Sequence, residues 1–184
     1  MSGAARASLL GTCVIVLAVA ARAEDQPPGF AVPEEQPVQA ELIAEHASIQ
    51  PGGTTRIGVR FELEQGWHIY AQEPGDAGLP TQITWSVPPS ASVSELHWPP
   101  PQQFLDPGDI RTFGYSGTVV LYSTLTYMRG IRRVSPLEEP DIPIRASVKW
   151  LACKEVCIPG SAELELALPV SSSPPVFSTH AQLF

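Results

Sequence analysis

The sequence predicts a single all-β domain, an immunoglobulin-like β-sandwich, from three observations. Prolines (20) and glycines (14) recur along the chain, and they exclude a helical bundle because a proline costs about 3 kcal/mol inside a helix. Short runs of alternating apolar and polar residues follow one another with turn signals between them, which is typical of half-buried strands. The 184 residues suffice for one ordinary domain. About seven to nine strands at this spacing favour the sandwich, with a closed barrel as the alternative.

The strands are predicted from the period-two pattern. It is clearest between Ile57 and Leu63, which predicts an antiparallel strand with one face in the core and one in solvent. Residues 117–128 are apolar on both faces, and this predicts a central strand. The other strand candidates are 38–49, 66–70, 83–87, 91–98, 142–150 and 162–168. Loops are predicted over 73–80, 99–108 and 129–141, where breakers cluster.

The first 23 residues predict a secretory signal peptide. Arg6 lies in a short n-region, Leu9 to Ala20 form an apolar core, and Ala21-Arg22-Ala23 has the small-x-small pattern of a cleavage site. A spanning helix needs roughly 20 apolar residues, so a cleaved leader is favoured over an anchor, and no later segment is apolar enough to cross a membrane. We therefore expect an exported protein with no membrane span. Its predicted parts are an extended lead-in over 24–37, the folded domain over 38–169 and a loosely ordered tail over 170–184.

The charge balance excludes one class of partner. Lys and Arg number 11 against 19 Asp and Glu, for a net charge of −8. A nucleic-acid partner needs basic patches that neutralise phosphate, and the one dense basic run, Arg129 to Arg133, is interpreted as a solvated turn. Hydrolytic chemistry is also disfavoured, because the sequence contains no nucleophile-elbow motif, no HExxH and no glycine-rich phosphate loop. No cofactor is expected.

Cys153 and Cys157 are the two cysteines outside the leader, which contains Cys13. Thiols of an exported protein tend to be oxidised. Four extended residues would separate the two Cα atoms by roughly 13 Å, whereas a disulfide needs about 4.4–6.8 Å. The segment must therefore turn, and we expect the pair at a hairpin-like end near solvent, between a strand ending at Leu151 and one beginning near Ser161.

The residue types leave three roles open for this cysteine pair: a structural disulfide, a redox-active disulfide and a metal site. A ring of about five residues contributes roughly 2 kcal/mol of loop entropy, and small exposed disulfides are the reducible ones, so a structural and a redox-active bond are equally favoured. Two thiolates with His68 or His97 as a further ligand would suit Cu(I). Lys154 favours a thiolate at its neighbour and Glu155 opposes it, so the sequence does not assign the attacked cysteine.

Six short motifs in a fixed order, across about residues 38–169, resemble a known family. They are GWHIY at 66–70, PGDAGLP at 74–80, ITW at 83–85, WPPP at 98–101, FGY at 113–115 and WLACKEVCIPG at 150–160. Together these motifs resemble the N-terminal domain of the DsbD-type thiol–disulfide interchange proteins. Within that family they are most similar to the branch of the copper-sensitivity-suppressor reductases.

The resemblance implies an immunoglobulin-like periplasmic domain in which Cys153 and Cys157 are the redox-active pair. In the family, such a domain takes reducing equivalents from a membrane-embedded domain. It passes them to oxidised periplasmic proteins such as isomerases and cytochrome c maturation factors. Family members usually continue into a multi-span membrane domain and a thioredoxin-like domain, which this sequence does not contain. The implied electron donor is therefore a separate membrane-embedded thiol reductase.

The resemblance also implies an aromatic cap over the cysteine pair. The segment Asp109 to Tyr115 falls where the family has its cap loop, and Phe113 is the predicted capping ring. Further residues predicted to neighbour the pair are Tyr70, Tyr115, His68 and Asp76. Asp76 is either a charge that tunes the thiols or a turn residue, while Trp67, Trp85 and Trp150 are interpreted as core.

Overall fold

The computed structural model describes residues 36–106, 108–128 and 141–184, which contain ten strands and one 3-10 helix. The predicted signal peptide, nearly all of the predicted lead-in and the basic run after Met128 lie outside the described residues. Within these ranges, no helix has the length and apolar character of a membrane span. The elements are β1 (Val38–Ala44), β2 (Thr54–Leu63), β3 (His68–Gly75), β4 (Gln82–Ser86), β5 (Ala91–Val93), β6 (Gln102–Asp106), β7 (Ile110–Ser116), β8 (Thr118–Tyr127), β9 (Ile142–Cys153), β10 (Cys157–Leu168) and the 3-10 helix Ala181–Leu183.

The strands form two antiparallel sheets. The first has the order β1-β2-β8-β5, and the second has the order β10-β9-β3-β7-β6, with β4 pairing the part of β9 that β3 leaves free. Both sheets have free edges, so the alternative of a closed barrel is wrong. The prediction of an all-β, immunoglobulin-like sandwich is confirmed, and β8 is an interior strand as its two apolar faces predicted.

The core lies between the sheets and is built from alternate residues of each strand. Ile57, Val59 and Phe61 of β2 are fully buried, as their period-two spacing predicted. Across the core, the Phe61 ring meets the edge of Trp150 at a centroid distance of 5.8 Å. The Trp85 indole N–H donates to the Ser123 hydroxyl at 3.2 Å. The interpretation of the tryptophans as core residues therefore holds for Trp85 and Trp150, and Trp67 belongs to the same cluster.

Several strand boundaries differ from the prediction, and three of these differences bear on the site. Residues 102–106, predicted as loop, form β6 because they pair along their whole length with β7. The segment predicted as a cap loop, 109–115, is largely β7 itself. β3 continues to Gly75 through an irregularity in its pairing with β7. In each case the strand is stabilised by pairing with another strand, which the local pattern of one segment does not report.

Residues 170–184 were predicted to be a loosely ordered tail, yet they pack against the chain that follows β1. The Ala47 N–H donates to the Val176 carbonyl at 2.9 Å, and the Ser178 N–H donates to the Glu45 carbonyl at 2.8 Å. The Phe177 ring stacks on His46 at 4.9 Å. Most of these contacts use backbone groups, which leave no hydrophobic period in the sequence, and this explains why the packing was not anticipated.

Candidate functional site

The cysteine pair closes the hairpin formed by β9 and β10. Cys153 is the last residue of β9 and Cys157 the first of β10, and the two are directly opposed in the antiparallel register. They are joined by a disulfide, with the Cα atoms 4.1 Å apart. The Lys154 N–H donates to the Val156 carbonyl at 3.1 Å and closes the turn between them. The predicted position of the pair at a hairpin tip is confirmed.

The two sulfur-bearing residues differ in their exposure. Cys153 is buried, with 2% of its surface accessible, whereas Cys157 and the three turn residues are exposed. The difference follows from the sheet order: β10 is an edge strand, while β9 has β3 on its other side. A protein partner could therefore reach Cys157 far more readily than Cys153, a distinction that the sequence did not make.

Cys153 shares the outer face of its sheet with His68. The register places His68 of β3 directly opposite Cys153, and Ile69 opposite Ala152. Opposed residues of an antiparallel pair point to the same face, and successive residues point to opposite faces. Ile69 and Ala152 belong to the core between the sheets. Cys153 and His68 consequently lie together on the outer face.

His68 is buried although it lies on an outer face, with 4% of its surface accessible. Its ring stacks on Phe104 of β6 at 4.3 Å and meets the Tyr70 ring edge-on at 5.1 Å. Its Nε2 atom is buried without a hydrogen-bond partner and lies 4.0 Å from Asp106 Oδ1. Burial lowers the pKa of His68 below its ordinary value, and the negative charge of Asp106 partly opposes that shift.

Asp106 is held in place at the end of β6. Its Oδ2 atom accepts a hydrogen bond from the Thr112 hydroxyl at 2.8 Å, and Thr112 is fully buried. The other carboxylate oxygen faces His68. The Asp106 carboxylate and the buried His68 imidazole therefore lie close together beside Phe104.

Tyr70 completes this outer cluster through its contact with His68. The side chain is buried, and burial raises the pKa of its phenol, with a further contribution from the charge of Asp106. Gly78 lies against the Tyr70 ring with a φ of +103°, and a Cβ at that position would overlap the ring. The loop between β3 and β4 can cover Tyr70 closely because residue 78 has no side chain.

The structure does not bring Phe113 or Tyr115 to the cysteine pair. Thr112 faces Asp106 on the outer face, so Phe113, the next residue of β7, points to the other side and packs against the core. Tyr115 has the same orientation, and its hydroxyl donates to the Pro99 carbonyl at 2.8 Å. Both rings line a cleft of about 650 Å³ beside Trp98. The prediction of Phe113 as the cap is therefore contradicted by the alternation of β7.

Phe104 is the aromatic ring that stacks on His68, and the sequence analysis missed it together with Asp106. Both residues fall in the segment predicted as loop. Had residues 102–106 been treated as a strand, their alternation would have placed Phe104 and Asp106 on one face. The signal was present in the sequence, but three preceding prolines and the following Pro-Gly dipeptide concealed it.

Asp76 and His97 have roles away from the sulfur atoms. Asp76 accepts a hydrogen bond from the Arg111 N–H at 3.1 Å, and its own N–H donates to the Arg111 carbonyl at 2.9 Å. It therefore fastens the loop after β3 to the start of β7, which is the turn role. The ring of His97 packs against Tyr122 in the other sheet, at a centroid distance of 4.4 Å. Across the described ranges, His, Cys, Asp and Glu side chains form no group of three or more that could hold a metal ion.

Comparison with known proteins places this geometry in a family. The family model described as "Thiol:disulfide interchange protein DsbD, N-terminal" matches residues 34–169. A comparison with curated proteins found no significant match.

Two solved structures are similar to the chain. The N-terminal periplasmic domain of ScsB from Proteus mirabilis aligns with a TM-score of 0.54 and 25% identity, over 79% of this chain and 51% of that one. The chain thus spans about half the length of that structure. The N-terminal domain of DsbD from Neisseria meningitidis, in its reduced form, aligns with a TM-score of 0.37 and 16% identity, over 74% of this chain and 89% of that one.

The match to the family model covers well over half of the chain and includes both cysteines, which the structure joins in a disulfide at a hairpin tip. The chain belongs to the family of the N-terminal domains of DsbD-type thiol:disulfide interchange proteins.

Proposed function

We propose that this domain carries reducing equivalents in the periplasm by cycling Cys153 and Cys157 between disulfide and dithiol. The supporting observation is the position of the disulfide: it closes an exposed hairpin turn in which one cysteine is accessible and the other is buried. A bond that closes so small a ring contributes only about 2 kcal/mol to stability. An exposed disulfide of this kind suits exchange better than it suits stapling the fold.

The exposure of Cys157 supports a defined order of steps. A thiolate of the electron donor attacks the Cys157 sulfur and forms a mixed disulfide, and the bond to Cys153 breaks so that Cys153 leaves as a thiolate and takes a proton. A second donor thiolate then attacks the donor's own sulfur in the mixed disulfide. The donor is oxidised to a disulfide by two electrons, and the domain holds two thiols. The same steps in reverse reduce a client protein.

Exposed apolar side chains around the pair support docking of protein partners. Val156 lies in the turn between the cysteines and is 62% exposed, and Leu79, beside the glycine that covers Tyr70, is 64% exposed. Ile110 follows the turn after Asp106 and is also exposed. Leu79 follows the glycine that lies against Tyr70, and Ile110 is opposed to Asp106, so both adjoin the cluster around His68. Exposed apolar side chains in adjoining segments are typical of a surface that a partner covers.

The donor and the clients are part of the proposal. We infer that a separate membrane-embedded thiol reductase reduces the domain and that oxidised periplasmic thiol proteins receive the electrons. Cytochrome c maturation factors and disulfide isomerases are the classes of client that the family resemblance suggests. Membership of the copper-sensitivity-suppressor branch is supported by the 25% identity to the ScsB domain, and the predicted signal peptide supports export.

A redox titration tests the proposed exchange. The protein would be equilibrated with defined ratios of reduced and oxidised glutathione or dithiothreitol, and the fraction of dithiol would be measured by thiol labelling and mass spectrometry. We expect a reduction potential above about −300 mV, within the range of exchanging pairs. A potential well below that value would identify a structural disulfide and contradict the proposal.

Trapping of mixed disulfides tests both the partners and the order of steps. Cys153→Ser leaves the exposed nucleophile without its resolving partner, so it should accumulate mixed disulfides with donor and clients in the native host. Cys157→Ser is the matched control, because it has the same number of thiols but leaves only the buried one. We expect at least tenfold more trapped protein with Cys153→Ser. Equal or reversed trapping would contradict attack at Cys157, and none with either variant would contradict exchange.

A further inference from the structure

The outer face of the six-stranded sheet carries three reactive side chains in one row. Cys153 of β9 is opposed to His68 of β3, and Asp106 of β6 faces the other side of the His68 ring. Directly opposed residues of an antiparallel pair have Cβ atoms about 4.5–5.5 Å apart. In the strand order β9-β3-β7-β6, His68 therefore has Cys153 on one side and the Asp106 carboxylate on the other.

We propose that His68 is the general base that takes the proton from the Cys153 thiol when Cys153 resolves a mixed disulfide, and that Asp106 is the residue that positions its imidazole. This inference rests on the proposed function and assigns the proton transfer within it. The Cys153 thiolate attacks the Cys157 sulfur, the bond between Cys153 and Cys157 forms, and the bond between Cys157 and the client breaks. The client sulfur leaves with the electron pair, and the proton passes to His68 and then to the client thiolate or to water.

Two observations point to this role: the register sets His68 directly opposite Cys153, and the buried Nε2 atom of His68 has no hydrogen-bond partner that would fix the tautomer or the protonation state of the ring. A buried polar atom without a hydrogen bond costs stability, yet the ring is held firmly by its stack on Phe104. The nearest charged group is the Asp106 carboxylate. It makes no hydrogen bond to the imidazole, but it is close enough to attract the ring once the ring is protonated. The arrangement thus suits an imidazole that gains a proton during the reaction and loses it again.

Electrostatics support a neutral imidazole before the transfer. Burial lowers the pKa of His68, so the ring is unprotonated at neutral pH and can accept a proton. The groups that face it are Asp106 from β6, the Tyr70 phenol from β3 and Cys153 from β9. The Lys154 side chain, in the hairpin turn, lies against Gly66, which precedes His68 by two residues.

A two-step reaction with 5,5′-dithiobis(2-nitrobenzoate) isolates the proposed proton transfer. The reduced chain, in a Cys13→Ser background, releases one coloured thiolate when Cys157 attacks the reagent and a second when Cys153 resolves the mixed disulfide. Rapid mixing gives both rates between pH 5 and 9. In the parent protein we expect the second rate to be level through neutral pH and to fall at acid pH, where His68 becomes protonated.

His68→Gln should slow the second release at least tenfold at pH 7, because general base catalysis contributes about 10²–10⁴ in rate. Its rate should then rise about tenfold per pH unit up to the pKa of the thiol. His68→Phe, which can retain the stack on Phe104, should behave in the same way, while the first release should change less than twofold in either variant. Asp106→Asn should move the acid limb to lower pH, because the carboxylate raises the pKa of His68.

His97→Gln is the matched control, since it removes a histidine that packs on Tyr122 of the other sheet, and it should leave both rates unchanged. A second rate with the same pH profile in His68→Gln and parent would overturn the role of His68 while leaving the proposed function intact. A parent protein that released only one thiolate would instead contradict the proposed function, because Cys153 would then not resolve the mixed disulfide.

Discussion

The two faces of the six-stranded sheet differ sharply where β3 meets β9. On the inner face, Ile69 and Ala152 are opposed and pack in the hydrophobic core between the sheets. On the outer face, one residue along each strand, His68 and Cys153 are opposed and lie in a buried cluster with an unpartnered nitrogen atom. The same backbone register therefore builds a stabilising surface on one side and a reactive one on the other.

This difference teaches that the sandwich is stabilised mainly from one side of this sheet. The inner face gains free energy from burial of apolar surface without any polar group left unsatisfied. The outer cluster also excludes water, but it includes a carboxylate and an imidazole that lie 4.0 Å apart without a hydrogen bond. Substitutions on the inner face should therefore change stability, and substitutions on the outer face should change chemistry with smaller effects on stability.

The largest effect on stability is expected from Phe61→Ala. Phe61 is fully buried and contacts Trp150 across the two sheets, and truncation of a core phenylalanine costs about 3–5 kcal/mol. Urea denaturation of parent and variant would measure the loss. The reduction potential of the folded variant should remain unchanged, because the cysteine pair lies on the other face. A loss of stability below about 1 kcal/mol would contradict the inference that the inner face supplies most of the stability.

Removal of the disulfide should have a smaller effect on stability and a complete effect on exchange. The double variant Cys153→Ala, Cys157→Ala should lose about 2 kcal/mol of stability, because no disulfide then restricts the unfolded chain. The same urea denaturation would measure this loss. The variant should also lose all thiol–disulfide exchange with a reduced partner. If the variant were unable to fold, the bond would be a structural element of the sandwich. The distinction between the two faces would then fail.

The third effect is a pH dependence that belongs to the outer face. Because burial lowers the pKa of His68 in the folded state, the unfolded chain binds a proton that the folded chain does not, once the pH falls below about 6.5. Stability should therefore decrease as the pH falls from about 6.5, by up to about 1.4 kcal/mol per pH unit. His68→Gln should remove this part of the dependence, measured as the difference between parent and variant at pH 7 and pH 5.

His97→Gln controls for the loss of a histidine as such, since His97 packs on Tyr122 of the other sheet. If parent and His68→Gln lost the same stability between pH 7 and pH 5, the imidazole of His68 would not be the group that titrates. The idea of a buried neutral histidine on the outer face would then be wrong.

The contrast between the faces also explains what the sequence could predict. The inner face follows a period of two in β2 and β9, so the fold class, the core strands and the cysteine hairpin were all predictable. The buried face of each of these strands can be read from the alternation of apolar and polar residues in its own sequence. The prediction was therefore best where one face is apolar and the other is polar.

The outer site was less predictable because its residues come together only through strand pairing. Phe113 was chosen as the cap from its position in a motif, but the alternation of β7 directs it inwards. The ring that stacks on His68 is Phe104, and it depends on the pairing of β6 with β7. Which of two aromatic residues lies on a given face depends on the register of the paired strands, which the pattern of a single segment does not give.

The smallest effect is expected at the open end of the same outer face. Arg145 of β9 and Glu165 of β10 are opposed in register, and their Nε and Oε1 atoms lie 2.7 Å apart. Both side chains are more than half exposed, so water and salt screen their attraction, and such pairs are worth about 0.5 kcal/mol or less. A double-mutant cycle with Arg145→Ala and Glu165→Ala would measure the coupling, which should shrink further in 1 M salt.

A coupling well above about 1 kcal/mol would mean that the outer face stabilises the hairpin along its whole length. The reactive cluster at the cysteine end would then be one part of a stabilising surface. A weak coupling would show instead that the outer face contributes little where it is open to water. Burial at the His68 end would then be a local property, created where Phe104 of β6 covers His68 and where the loop after β3 covers Tyr70.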